Sequence, residues 1–416
     1  MIVNTMQVDG ARLVKRLEDL GKIGALPGGG VCRLALSADE KLGRDHLVGE
    51  MKALGLTVAI DPIGNIFGTR KGRTDGPAVM LGSHIDTVAT GGYYDGALGV
   101  LAGLEVVASL NDADIETEHP IVVAAFTNEE GARFQPDMLG SLVFAGGMKV
   151  ETARDIIAID GERLGDALDA TGYAGTGCGP KAIAAYFELH IEQGPVLEDE
   201  GLKIGVVRGV QGISWTEITI AGRAAHAGTT PIRLRRDAGL AAARIAAGVG
   251  DLVRDIAGDM VGTVGAITLK PNLVNVVAEK AVLTVDLRHP DATTLKQANE
   301  RLAALIADVA KREDVDITTR MLADFPPTDF APPLVDSVEA AAEGLGLSTR
   351  RMFSGAGHDA QIIAGLAPAA MIFVPSVNGI SHNVTEFTEA ADLQNGANVL
   401  LQVALKQAMP TNGEIA

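Results

Sequence analysis

Two short apolar runs, Ala78 to Leu81 and Ile121 to Phe126, flank a longer apolar-rich segment, Gly96 to Leu110. Runs of the first length suit strands buried on both faces, and the longer segment suits a helix. Strand, helix, strand is the repeating unit of a doubly wound α/β sheet. A buried parallel sheet of this kind builds its ligand sites beyond the strand ends, so the residues that follow each run carry the functional argument.

The middle of the chain follows a different rhythm. Leu283, Val285 and Leu287 alternate with Thr284, Asp286 and Arg288, the pattern of a strand with one buried and one open face. Ala238 to Leu252 and Leu295 to Lys311 read as helices lying on such a sheet. A chain of 416 residues suggests two domains. The expected architecture is therefore a discontinuous α/β catalytic domain, residues 1–211 and 325–416, interrupted by an α+β, ferredoxin-like domain at 212–324. Pro326, Pro327, Pro332 and Pro333 mark the return crossing. Ser37 followed by Glu40 is a capping-box pattern, with Leu42, Leu47, Met51 and Leu54 at helical spacing and a stop at Gly55.

Composition removes several function classes. A formal charge of −18 opposes a nucleic-acid or anionic-membrane partner, because phosphate contacts need clustered Lys or Arg. The nearest cluster, Arg233, Arg235 and Arg236, reads as a solvated turn before a helix. Cys32 and Cys178 are too few for a disulfide scaffold, which favours a reducing, cytoplasmic compartment. Asp9, Arg12, Lys15 and Glu18 break up the first twenty or so positions, unlike a signal peptide, and no apolar run is long enough to span a bilayer.

Four clusters carry chemistry. His84 and Asp86 end the first apolar run, and Asp95 follows in a Gly-Gly-Tyr-Tyr-Asp-Gly turn before the predicted helix. A histidine that binds metal needs its other ring nitrogen fixed, and Asp86 could supply the acceptor. Glu129 and Glu130 follow the second run; adjacent carboxylates repel unless a cation or a shared proton offsets them. One could then bind metal while the other takes a proton from water, but an acidic helix N-terminus stabilised by the helix dipole fits the pair equally well. His190 and His382 complete a set of imidazoles and carboxylates drawn from a chain with only eight histidines. Such mixed donors suit zinc, manganese, cobalt or nickel better than calcium. Two cations would lower the pKa of a shared water toward about 7 and stabilise the oxyanion that follows attack. Arg288, opposite the buried face of its strand, offers a planar fork that matches a carboxylate; a surface salt bridge explains it as well.

These segments resemble the amidase branch of the dinuclear metallopeptidases related to aminoacylases, which holds N-carbamoyl-L-amino acid hydrolases, beta-ureidopropionases and allantoate amidohydrolases. The matching stretches, in order, are GSHIDTVATGGYYDGALGVLAGLEV, FTNEEGARF, ELHIEQGPVLE, GRAAHAGTTP, NVV followed by VDLR, SGAGHDA and GISHNVTEFT. The resemblance implies that His84, Asp95, Glu130, His190 and His382 hold two divalent ions, with Asp95 between them, and that Glu129 is the general base. It implies further that His226 polarises the substrate carbonyl, that Asn275 and Arg288 hold the substrate carboxylate, and that Gln193 and the loop through Gly357 line the pocket. It also implies a homodimer formed through the inserted lid domain, with His226 and Asn275 completing the partner's site on closure. Tyr93 and Tyr94 depart from the basic residue and Phe expected before the shared aspartate.

The expected reaction is hydrolysis of the carbamoyl C–N bond of an N-carbamoyl-L-amino acid to amino acid, carbon dioxide and ammonia. Allantoate and beta-ureidopropionate hydrolysis use the same groups on other small ureido carboxylates. Peptide or acyl-amide cleavage, and a non-catalytic metal-binding scaffold, are the remaining alternatives; a scaffold should have lost a ligand or the base, and this sequence keeps both.

Overall fold

The first apolar run extends as a strand over Ala78–His84, and every residue of it is buried. Ile121–Phe126 is buried throughout as well and pairs with it in parallel, from Val79 opposite Ile121 to His84 opposite Phe126. The helix Ala97–Asp112 connects them, buried from Ala97 to Leu110. Parallel neighbours need such a crossover, and its cover explains why both strands lack polar alternation. The computed structural model describes residues 6–409.

The chain divides into two units, one built from residues up to Gly209 together with those from Asp329 onward, the other from Val210–Thr328. In the first unit the large sheet runs Thr57–Ile60, Ile66–Arg70, Ile121–Phe126, Ala78–His84, Ile183–Ile191, Ala369–Val374, Ile204–Val210. The strands from Ile121–Phe126 to Ala369–Val374 are mutually parallel. From Ala78–His84 the chain moves first to one side, to Ile121–Phe126, and later to the other, to Ile183–Ile191. The carboxyl ends of those strands therefore open a crevice at a topological switch point.

The second unit contains, among the described residues, the sheet order Asp316–Phe325, Gly212–Ala221, Lys280–His289, Val261–Lys270, antiparallel throughout. With the helices Ala238–Ile256 and Ala292–Glu313, the chain order is strand, helix, strand, strand, helix, strand, the ferredoxin-like arrangement. Leu283, Val285 and Leu287 are buried with Ile218, Ile245 and Val249, as the alternation predicts.

One local expectation needs correction. Ser37 caps the helix Ala38–Ala53 by accepting from the Glu40 amide, but the Glu40 carboxylate does not complete the box. It accepts from the Leu36 amide at 3.0 Å and pairs with Arg44 at 2.6 Å, both side chains being buried. Leu42, placed in the apolar spacing of this helix, is 55% exposed; the buried ion pair takes the inner face of the helix near its start. Among the described residues no helix is long and apolar enough to cross a membrane.

Candidate active site

The four central parallel strands each deliver a group to the crevice at their carboxyl ends. His84 is the last residue of its strand and His190 the penultimate residue of the next. Glu129 and Glu130 follow Ile121–Phe126, and His382 lies in the loop after Ala369–Val374. Asp95 enters from the turn before the Ala97–Asp112 helix. Gly96 allows this turn: it has φ +64°, and a Cβ there would fall 2.3 Å from the His84 ring.

Asp95 faces two groups at once. Its Oδ1 lies 3.3 Å from His190 Nε2 and 3.7 Å from His84 Nε2. Its Oδ2 lies 3.3 Å from His382 Nε2, which is 3.4 Å from Glu130 Oε2. His84, Asp95 and His190 thus form one set of potential metal donors, and Asp95, Glu130 and His382 a second. Glu129 Oε2 approaches His84 Nε2 at 3.3 Å. The Nδ1 atoms of His84 and His190 each lie 2.9 Å from a backbone carbonyl, of Asp86 and Ile191 respectively. Protonation at Nδ1 leaves the Nε2 lone pairs directed into the site.

Asp86 therefore orients His84 through its carbonyl, not its carboxylate, which stands 3.8 Å from Nδ1. That carboxylate accepts instead from the amides of Glu129 and Glu130, at 3.2 and 3.4 Å. The backbone turn carrying the two glutamates needed an acceptor, and Asp86 supplies it. Asn128, with φ +57°, holds the other end of that turn, donating from Nδ2 to the carbonyls of Phe134 and Pro136.

The crowding has an electrostatic signature. Burial, together with Asp359 and Glu130, pushes the Glu129 carboxyl well above its usual range. Burial with Asp95 and Asp86 does the same to Glu130. Burial opposes charge on Asp95 too, yet hydrogen bonds from His190 and His382 outweigh it and hold its carboxyl well below the usual range. Burial brings His84 down to about 4. His190 goes up to about 9, because the Asp95 contact outweighs burial. Buried carboxylates so arranged repel one another unless cations lie between them, and Glu130 Oε1 is buried without a hydrogen-bond partner. Both observations fit a site for divalent metal.

Residues 80–406 match the model of Peptidase family M20/M25/M40. The chain belongs to that family. Among curated relatives, the N-carbamoyl-L-amino-acid amidohydrolase of Rhizobium meliloti is 43% identical, with 97% of each chain covered. The allantoate amidohydrolase of Escherichia coli K12 is 37% identical, covering 92% of this chain and 94% of that one. The crystal structure of a hydantoinase/carbamoylase family amidase from Burkholderia multivorans superposes with a TM-score of 0.95 at 46% identity, covering 97% of this chain and 99% of its own.

Within this M20/M25/M40 member, the remaining predicted residues fall into both units. Gln193, with φ +56°, donates from Nε2 to Asp95 Oδ2 at 2.8 Å, so its side chain sits on the shared carboxylate. Gly357 lies beside Met138, whose Cε would be 3.1 Å from an added Cβ. In the second unit, His226 is exposed on a two-residue strand paired with Val276–Val277, and the Asn275 carbonyl accepts from the Ala227 amide. His226 Nδ1 accepts from the amides of Gly228 and Thr229, which leaves the proton on Nε2. Arg288 is half-buried, pairs with Asp286 at 2.8 Å, and stacks 5.8 Å from the centroid of Trp215.

Three residues escaped the sequence reading. His358 packs its ring 4.7 Å from that of His190 and forms a third buried donor set with Glu188 and His190. Ser381 and Glu386 contact Asp95 and its turn. All three lie inside the quoted motifs, but no spacing rule separates them from their neighbours.

Proposed function

We propose that this protein hydrolyses the carbamoyl C–N bond of an N-carbamoyl-L-amino acid, giving the amino acid, carbon dioxide and ammonia. The observation that carries this reading is Asp95, set between two donor groups with Glu129 alongside, in a chain 43% identical to an N-carbamoyl-L-amino-acid amidohydrolase. His84, Asp95 and His190 would hold one divalent ion, and Asp95, Glu130 and His382 a second, of zinc, manganese, cobalt or nickel; the pair would supply Lewis-acid polarisation and a more acidic water.

The chain's own groups do the rest. Glu129, buried and beside His84, takes a proton from the attacking water and delivers it to the leaving nitrogen. His226 presents an Nε2–H to the substrate carbonyl. Arg288 and Asn275 bind the carboxylate, with the Trp215 ring limiting the guanidinium's orientations. Gln193 keeps Asp95 in its shared orientation, and Gly357 lets backbone approach the substrate. Whichever C–N bond breaks first, the carbamic acid left behind loses carbon dioxide, so one hydrolysis releases all three products.

The allantoate amidohydrolase relative supports a second reading with the same groups on an acid that carries two ureido groups on one carbon. We also infer a homodimer, supported by the strand Val261–Lys270: among the described residues it pairs on one side only, and it exposes Val261, Ile267 and Leu269, the kind of edge a second copy would cover. A cytoplasmic location is proposed on the two free cysteines. The deciding assay is ammonia and amine release by manganese-loaded protein from N-carbamoyl-L-amino acids, N-carbamoyl-β-alanine, allantoate and N-acetyl amino acids. Turnover of the first group alone is expected; amine release from acetyl compounds without ammonia would move the protein to deacylation.

A further inference from the structure

Glu386 is buried and belongs to neither donor set, yet its carboxylate joins two loops that both carry donors. Its Oε1 accepts from the amides of Tyr94 and Asp95, at 3.1 and 3.2 Å. Its Oε2 lies 2.8 Å from Ser381 Oγ, which is itself 2.9 Å from Asp95 Oδ2. One carboxylate thus grips the Asp95 backbone directly and shares with the Asp95 side chain the single proton of the Ser381 hydroxyl, while Ser381 is the neighbour of His382. The contact requires a glycine: a Cβ on Gly92 would sit 2.1 Å from Glu386 Oε1. Glu386 is held in turn by its backbone N–H, which donates to the Asn383 carbonyl, and by Phe387, whose ring meets Tyr94 at 6.1 Å.

We propose that Glu386 is a positioning residue, a clasp that locks the Asp95 turn to the His382 loop so that Asp95 presents one oxygen to each donor set. This rests on the reading of Asp95 as the shared ligand. Without the clasp, the Asp95 turn and the His382 loop lose their common anchor, and a carboxylate between two cations tolerates little displacement. Groups that orient ligands in this way typically set metal affinity by about 10–100-fold.

The test is titration of the metal-free protein with zinc against a chromophoric chelator, with the melting temperature of each metal-free variant alongside. Glu386→Ala should weaken zinc binding at least about tenfold while the metal-free melting temperature stays near that of the parent. Glu386→Gln should restore most of the loss, since its amide oxygen still accepts from both backbone N–H groups and its nitrogen donates to Ser381 Oγ. Ser381→Ala should weaken binding, and the double variant with Glu386→Ala should fall short of the summed effects because both act through Asp95. Affinity unchanged in Glu386→Ala, or a Gln variant as weak as Ala, would overturn the clasp. Should Glu386→Ala not fold, Glu386→Gln and Ser381→Ala decide: near-parental and weakened zinc binding respectively support it, and any other pair rejects it. A parent protein that binds no zinc would sink the reading of Asp95 together with the clasp, whereas a parent that binds two ions and variants that match it would sink the clasp alone.

Discussion

Asp95 turns one oxygen to His84 and His190 and the other to His382 and Glu130, and the residues around it are arranged to keep it there. Glu129 stands beside this arrangement without being needed for it. Glu129→Gln should therefore keep bound metal while turnover falls by at least about 10²-fold; steady-state rates beside metal analysis check this, and near-normal turnover would remove Glu129 from proton transfer. Arg288→Ala should raise KM for ureido carboxylates and leave a carboxylate-free amide little changed; equal losses on both would refute a carboxylate role. His190 has a pH consequence. Its folded-state value, raised to about 9 against an ordinary 6.5, means that its stabilising pairing with Asp95 in the metal-free protein is complete below about 6.5 and is lost as pH rises through about 9. A divalent ion must displace that proton, so cation binding near neutral pH should release protons and tighten with rising pH. Calorimetry in buffers of different ionisation enthalpy measures the release, and a buffer-independent heat would contradict it.

At the scale of elements, periodicity was informative wherever burial alone decides a position. The strand Lys280–His289 buries Leu283, Val285 and Leu287 because its sheet is covered by helices on one face, and the alternating sequence says so directly. Leu283→Ala should cost about 2–5 kcal/mol, read as a lowered denaturant midpoint; a loss below roughly 1 kcal/mol, close to the scale of a surface change, would mean that this core collapses around the vacancy. The helix Ala38–Ala53 shows where periodicity misleads. Leu47 and Met51 are buried as the spacing predicts, but near the helix start the inner face is occupied by Glu40 and Arg44, whose guanidinium also donates to the Gly64 carbonyl and to Thr127 Oγ1. That pair braces the strand end that precedes Glu129, and Leu42 is left outside. Nothing in the helix's own sequence announces partners on distant strands.

For the molecule as a whole, the first unit gathers its donors from segments between His84 and His382, so any ion that binds there ties both ends of that unit together. Removing metal with a chelator should lower the melting temperature, and restoring manganese or zinc should raise it in proportion to the logarithm of free ion; a melting temperature indifferent to metal would argue against these sets as binding sites. The sequence by itself determined the two fold classes and the strand ends where candidate donors appear, because apolar period is a local property of the chain; His84, Asp95, Glu129, Glu130, His190 and His382 were picked out as a set by resemblance, and the fold brings them together. Tertiary structure alone decided the rest. It turned the Asp86 carboxylate to the glutamate amides, placed Gln193 on Asp95, packed His358 behind His190, and brought Glu386 to a turn 291 positions earlier in the chain. Such partners are chosen by which buried N–H or carbonyl lacks a mate once the strands are assembled, and that need does not exist until the sheet has formed.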